Sequence, residues 1–198
     1  MNSQFYIEPD KVNKIERYVT LLKKYQRHFN LIGNSTINNI WVRHVVDSAQ
    51  IFRLLPQEKS NASLIDVGSG AGFPGIILAI MGRNDVLLCE KSRKKVDFLN
   101  EVIENCKIRA SIINNRVENL NQNNCSIIVS RAFSSLKKLI KSTIHLIKKD
   151  TTLVLHKGKK YKEEIAEVNK RYSFKAEYYN SITSDEGKII KLKNIKIK

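Results

Sequence analysis

Residues 64–75, Leu-Ile-Asp-Val-Gly-Ser-Gly-Ala-Gly-Phe-Pro-Gly, constrain this chain more than any other stretch. A short strand-like run leads directly into three alternate glycines, Gly68, Gly70 and Gly72. Glycine lets a backbone turn sharply and lets a ligand approach it closely. Pro74 stands where a helix can start, because the N–H it lacks would be unpaired there in any case. A strand, a glycine turn and a helix in that order form the first βα crevice of a doubly wound sheet, where cofactors bind.

The rest of the chain supports such a sheet. Short apolar runs alternate with helical ones from Ser63 onward: Val86–Cys89 then Val96–Cys106, Ile108–Ile113, Ile127–Val129 then Leu136–Ile147, Leu153–Leu155 then Tyr161–Tyr172. That alternation predicts a mostly parallel sheet with helices on both faces. Phe174–Tyr179 and Lys188–Ile197 read as two further strands around the turn Ser184–Gly187. Ahead of the sheet, Ile15, Tyr18, Val19, Leu22, Tyr25 and Phe29 recur at helical spacing, and a second helix is expected from Thr36 to Leu55, ending before Pro56. The expected organisation is an N-terminal helical extension, 1–62, on a Rossmann-like α/β domain, 63–198, the two forming one compact unit.

The spacing at the glycines selects among cofactors. A dinucleotide fingerprint has the form G-x-G-x-x-G, and a P-loop continues into Gly-Lys-Ser/Thr. Here the glycines follow G-x-G-x-G with Asp66 at the strand end, and no such lysine follows. A carboxylate there repels a pyrophosphate and attracts the ammonium of a methionine moiety, which points to S-adenosylmethionine and a class I methyltransferase fold. Glu90, 18 residues after Gly72 at the end of the second strand, suits a pair of ribose hydroxyls; the alternative is a carboxylate at a helix N-terminus. After the third strand, Asn115–Glu118 offers Val117 to an adenine face and neighbouring polar groups to its edge.

The methyl acceptor is expected near Val129-Ser130-Arg131-Ala132-Phe133. The Asn/Asp-Pro-Pro-aromatic loop of exocyclic-amine methylation is missing, and Cys89, Cys106 and Cys125 read as buried small hydrophobes rather than thiolate nucleophiles. A ring nitrogen with a free lone pair fits what remains, since it needs alignment and not a base. Arg131 can take a cofactor carboxylate, an RNA phosphate or guanine O6, and Phe133 can stack on a base or join the core. Lys157–Lys160 lies near the same edge.

Charge bears on the partner. With 35 Lys+Arg against 19 Asp+Glu the chain carries +16, which favours a polyanion through counterion release, although a lysine-, asparagine- and isoleucine-rich composition also leaves many lysines merely solvated. No apolar run approaches the length of a bilayer span, Met1–Asp10 lacks a signal-peptide pattern, and three cysteines without a CxxC pair predict a reducing cytosol and no structural zinc. The expectation is a cytoplasmic, metal-free monomer. A non-catalytic RNA-binding protein and a small-molecule methyltransferase are the alternatives.

The chain resembles the bacterial small-subunit ribosomal RNA guanine-N7 methyltransferases, the RsmG or GidB family. The resemblance runs from about Tyr18 to Gly158. It is carried by Asn30-Leu31, by Val42-Arg43-His44-Val45-Val46-Asp47-Ser48, by the Asp66–Gly75 block with its Gly-Phe-Pro-Gly ending, and by Lys94-Lys95 with Phe98-Leu99. Arg116-Val117-Glu118, Ser130-Arg131-Ala132 and Lys157-Gly158 complete it. It implies cofactor contact by Gly68, Phe73, Val117, Glu118 and Arg131, and methylation of the guanine at position 527, in the 530 loop of 16S rRNA, to 7-methylguanosine. His44 and Asp47 share a helix face and are expected to pack the N-terminal helices on the core, with RNA contact second.

Overall fold

The computed structural model describes residues 7–198, so the first six residues of the expected extension, and with them most of the Met1–Asp10 opening, lie outside the described residues. Helix α1 spans Pro9–Gln26 and buries Ile15, Tyr18, Val19 and Leu22, the stripe that its spacing predicts. It stops at Gln26 because that side chain takes over the next turn: Oε1 accepts from the N–H groups of Leu31 and Ile32 at 2.8 and 3.0 Å, and Nε2 donates to Ile32 O.

The single helix expected over Thr36–Leu55 is corrected. The chain instead runs through a 3₁₀ segment, Asn34–Asn39, a π-helical segment, Trp41–Val46, one α turn, α2 (Asp47–Ala49), and a second 3₁₀ turn, Phe52–Leu54. Three asparagines, Asn34, Asn38 and Asn39, sit in the first of these. Their side chains compete for backbone groups and weaken a regular helix. The wider π turn carries His44 and Val45 inward and leaves Trp41 and Val42 exposed.

From Ser63 the elements follow in the expected order: β1 (Ser63–Val67), α3 (Gly75–Ile80), β2 (Val86–Cys89), α4 (Arg93–Cys106), β3 (Ala110–Ile113), β4 (Cys125–Ser130), α5 (Leu136–Thr143), β5 (Thr152–Lys157), α6 (Tyr161–Asn169), β6 (Tyr172–Asn180) and β7 (Lys188–Ile197). The sheet order is β3-β2-β1-β4-β5-β7-β6. Strands β1 to β5 pair in parallel, and β7 enters antiparallel between β5 and β6. The order reverses between β1 and β4, which opens a crevice at the carboxyl ends of these strands.

Strand alternation divides the core. Leu64, Ile127, Val129 and Val154 face one side, with α1, α3, α4 and the segments between Leu31 and Ile51; Ile65, Val67, Ile128, Leu153 and Leu155 face the other, with α5 and α6. The N-terminal helices thus share a continuous apolar core with one face of the sheet. The turn between β6 and β7 docks on them through Thr183 Oγ1, which donates to Asp47 Oδ1 at 2.6 Å, and Ile182 N–H, which donates to Gln50 Oε1. No helix among the described residues is long and apolar enough to cross a membrane.

Candidate cofactor site

The β1–α3 loop turns on three glycines with positive φ, at +70° for Gly68, +58° for Gly70 and +97° for Gly72. Two of them also answer to close packing. A Cβ on Gly68 would lie 2.4 Å from Phe133 Cδ2, and one on Gly72 would lie 2.4 Å from Ile76 Cγ1. The loop is tied to the end of β2: Gly68 and Ser69 donate to Cys89 O at 3.0 and 3.2 Å, and Gly70 N–H donates to Glu90 Oε2 at 2.9 Å. Glu90 Oε1 accepts from Ser92 N–H at 2.8 Å, just ahead of α4. The Glu90 side chain thus sits at the approach to α4, as one of its two readings expects, and also holds the glycine loop.

These elements enclose a cavity of about 330 Å³, lined by Gly68, Gly70, Glu90, Val117, Glu118 and Phe133 among others. The size suits a nucleoside-bearing ligand. One wall is apolar, from Val117 and the Phe133 ring that packs on Gly68. Glu90 and Glu118 also line the cavity, and Glu118 Oε1 accepts from Ser142 Oγ at 2.8 Å. Hydrogen bonds to the Glu118 carboxylate, from its own backbone first and from Ser142 next, hold its pKa below the usual value, so it is charged at neutral pH. Lys91, Lys95, Arg116 and Lys138 also line the cavity, and among the described residues none of the four has a carboxylate within ion-pair distance. A glycine floor, an apolar slot and a carboxylate already fixed by backbone donors fit the adenosine of S-adenosylmethionine.

Four residues expected here lie elsewhere. Gly72 serves the packing of the loop on α3. Asp66, expected to meet the ammonium of the methionine moiety, is fully buried and does not line the cavity. Its place in β1 turns it toward α3, where Oδ2 accepts from Gly75 N–H at 2.9 Å and Oδ1 has no hydrogen-bond partner. Desolvation pushes this carboxyl up to about 7, against the opposing pull of the Gly75 N–H. Its charge is thus part-neutralised beneath the loop and does not front the cavity.

Phe73 and Arg131, both expected at the cofactor, do not line this cavity. Phe73 is buried, stacked on His44 at 5.0 Å between centroids, and 4.8 Å below the Arg131 guanidinium. Arg131 Nη1 donates to Arg43 O at 2.9 Å and to Asp47 Oδ2 at 3.3 Å, and Nη2 meets His44 Nδ1 at 2.6 Å. The expected polar pair of His44 and Asp47 is thus a clamp on Arg131. Burial first, and Arg131 next, lower the His44 pKa to about 4, so its Nδ1 is an acceptor. Arg131 faces a second cleft of about 360 Å³, shared with Arg43, Asp47, Lys157 and Lys188 and separated from the cavity by Ala132, which lines both. Lys157 itself is held by Glu164 at 2.8 Å and by Ser134 O. The three cysteines are free and buried, and burial pushes Cys89 and Cys125 up to about 12, far from thiolate chemistry.

A family model described as rRNA small subunit methyltransferase G (GidB) matches residues 11–192. The chain belongs to that family. Relatives in the rRNA small subunit methyltransferase G family include the "Ribosomal RNA small subunit methyltransferase G" of Rickettsia prowazekii, 38% identical over 96% of this chain and 97% of that one. That of Orientia tsutsugamushi is 34% identical over 98% and 96%. Among solved structures, the Synechocystis magnesium protoporphyrin IX methyltransferase with bound SAM covers 98% of this chain and all of its own, at TM-score 0.60 and 14% identity. A ribosomal protein L11 methylase from Lactobacillus delbrueckii superposes with TM-score 0.62 at 12% identity, over 82% of this chain and 80% of its own. These likenesses establish the class I S-adenosylmethionine-dependent methyltransferase fold.

Within this family fold several residues have roles that the sequence leaves unassigned. Phe133, open in the sequence between base and core, forms the cavity wall. Tyr18 reads only as a core position, yet its hydroxyl donates to Ala71 O in the glycine loop at 2.5 Å. His156, on β5 with its side chain largely buried, bonds Asp47 O through Nε2 at 2.7 Å. A tyrosine on an apolar stripe that meets a glycine loop is the one signal that marks such a contact in advance.

Proposed function

We propose that this protein transfers a methyl group from S-adenosylmethionine to N7 of a guanine in 16S rRNA, at position 527 of the small-subunit 530 loop. The observation that carries the reading is the cavity at the ends of β1 to β4, where the Gly68–Gly70 backbone, Glu90, Val117, Glu118 and Phe133 converge. Glu90 would hold the ribose hydroxyls, with Val117 and Phe133 against the adenine. The bound cofactor supplies an electrophilic methyl group on a sulfonium.

The chain's own residues orient the acceptor and exclude water. An unmethylated guanine N7 carries a lone pair and no hydrogen, so no general base is required. The buried groups beside the second cleft agree with that need. His44 has Nδ1 on Arg131 and Nε2 on Thr36 Oγ1, His156 has Nε2 on Asp47 O, and desolvation holds both pKa values low. They are structural acceptors and donors, not proton shuttles. Arg131, fixed by three partners, offers a planar cation to guanine O6 or to a phosphate. The lysines and arginines at both mouths, with an excess charge of +16, suit RNA as the partner.

The test is mass mapping of modified nucleosides in small-subunit RNA from cells with and without this protein. One 7-methylguanosine in the 530 loop that disappears with the protein is the expected result. An unchanged nucleoside profile refutes the reading.

A further inference from the structure

The N-terminal helices do more than cover one face of the sheet. They touch the cofactor loop and its neighbours at two points. From α1, Tyr18, fully buried, passes its hydroxyl hydrogen to Ala71 O at 2.5 Å. Its ring packs on Phe73 at 5.2 Å and on Phe98 at 6.4 Å between centroids. From the π-helical segment, His44 stacks on the same Phe73 at 5.0 Å and takes a 2.6 Å hydrogen bond from Arg131. Phe73, two residues beyond Ala71, is therefore packed by two aromatic rings from the N-terminal segments, with a guanidinium 4.8 Å over it.

We propose that Tyr18 and His44 are positioning residues that complete the cofactor site, so that the glycine loop reaches its binding shape only when the N-terminal helices are docked. The inference rests on the S-adenosylmethionine reading above. The physical reason lies in the loop itself. Residues 68–72 contain three glycines at positive φ, the residue type with most conformational freedom to lose. Such a loop has few ties of its own. Its backbone is held by Cys89 O, by Glu90 Oε2, by the internal Gly72 N–H to Ser69 O bond of 2.7 Å and by the Ile76 N–H that donates to Gly72 O at 2.7 Å. Among the described residues, the carbonyl of Ala71 at its apex is held by Tyr18 alone. A phenol kept protonated by full burial is a permanent donor there.

Removing one such tie leaves the loop folded but lowers the fraction of molecules in which it has the binding shape. The apparent dissociation constant rises in proportion to that fraction's fall. A net intramolecular hydrogen bond corresponds to roughly a 3- to 10-fold change in such an equilibrium.

Tyr18→Phe keeps the ring and deletes the donor. The experiment measures S-adenosylhomocysteine binding by calorimetry and amide hydrogen exchange over residues 68–73, for the wild type, for Tyr18→Phe and for His44→Gln. The expected result is affinity weakened roughly 3- to 10-fold in Tyr18→Phe, with faster exchange at Ser69 and Gly72 in the free protein and protection regained on binding. His44→Gln is expected to loosen the same stretch through Phe73 and Arg131. A role in stability alone lowers the melting temperature and leaves both readouts unchanged, and that outcome overturns the inference. Loss of fold in both variants overturns it too. If the wild type itself does not bind the ligand, the cofactor reading fails first, and that failure is visible without any variant.

Discussion

Gly68→Ala is the sharpest perturbation that the cofactor loop offers, because the structure fixes its size. The added Cβ lies 2.4 Å from Phe133 Cδ2 and 3.1 Å from Cε2, whereas carbon atoms in good contact sit about 3.5–4.0 Å apart. The Phe133 ring must therefore retreat by roughly 1 Å or more from the floor of the cavity. The φ of +70° adds a left-handed penalty of about 1–2 kcal/mol, and displacing a packed ring adds about 1–3 kcal/mol. Urea unfolding of the variant should show a loss of about 2–5 kcal/mol. Calorimetry with S-adenosylhomocysteine should show affinity lower by about tenfold or more, since wall and floor no longer meet the ligand together. The cause is then isolated by a cycle: in a Phe133→Ala background the clash is gone, so Gly68→Ala should cost only the backbone penalty. If the two substitutions prove additive, or if Gly68→Ala unfolds like the wild type, packing against Phe133 is not what the glycine serves.

Glu90→Gln leaves one oxygen for two N–H donors, those of Gly70 and Ser92; titration calorimetry should show cofactor affinity reduced by about 1.5–3 kcal/mol, the range for a charge-assisted hydrogen bond. Asp66 has a folded pKa of about 7 above its ordinary 3.8, so its contribution to stability is complete below about 3.8 and disappears as pH rises through 7. Urea unfolding at pH 5 and pH 8 should therefore show the wild type losing stability relative to Asp66→Asn at the higher pH. His44, with its pKa lowered to about 4, acts in the opposite sense as pH falls below about 6.5, but it is common to both proteins and cancels in the difference. In filter binding across a salt series, replacing Lys91 and Lys95 together by alanine should make the dependence of log affinity on log salt shallower, by about 0.7–0.9 for each phosphate left without its lysine.

The sheet is legible because each strand of the parallel core is a short, mostly apolar run closed by polar or glycine residues, and the longer helices α1, α4 and α5 bury residues at helical spacing. The glycine spacing locates the cavity, and Gly68, Gly70, Glu90, Val117 and Glu118 all line it. Asp66 departs from expectation because a strand's alternation decides which face a side chain takes, and proximity in sequence to Gly68 says nothing of that. Arg131 and Phe73 are drawn away from the cavity by His44, Asp47 and Tyr18, partners 84 and 87 residues distant from Arg131 in the case of Asp47 and His44. Such long-range contacts leave no local pattern. The 3₁₀ and π turns between Asn34 and Val46 are hidden for a related reason: their apolar spacing is close to that of an α-helix, and tertiary contacts of His44 decide among the three.

The most direct test of the cofactor assignment is a crystal structure of this protein with S-adenosylhomocysteine. The prediction is a ligand in the cavity between Gly68 and Phe133, its ribose hydroxyls on Glu90 and its adenine against Val117, with Asp66 still turned under Gly75. A ligand lodged instead in the cleft beside Asp47 and Lys188, or one that draws the Asp66 carboxylate out to its ammonium, would contradict it.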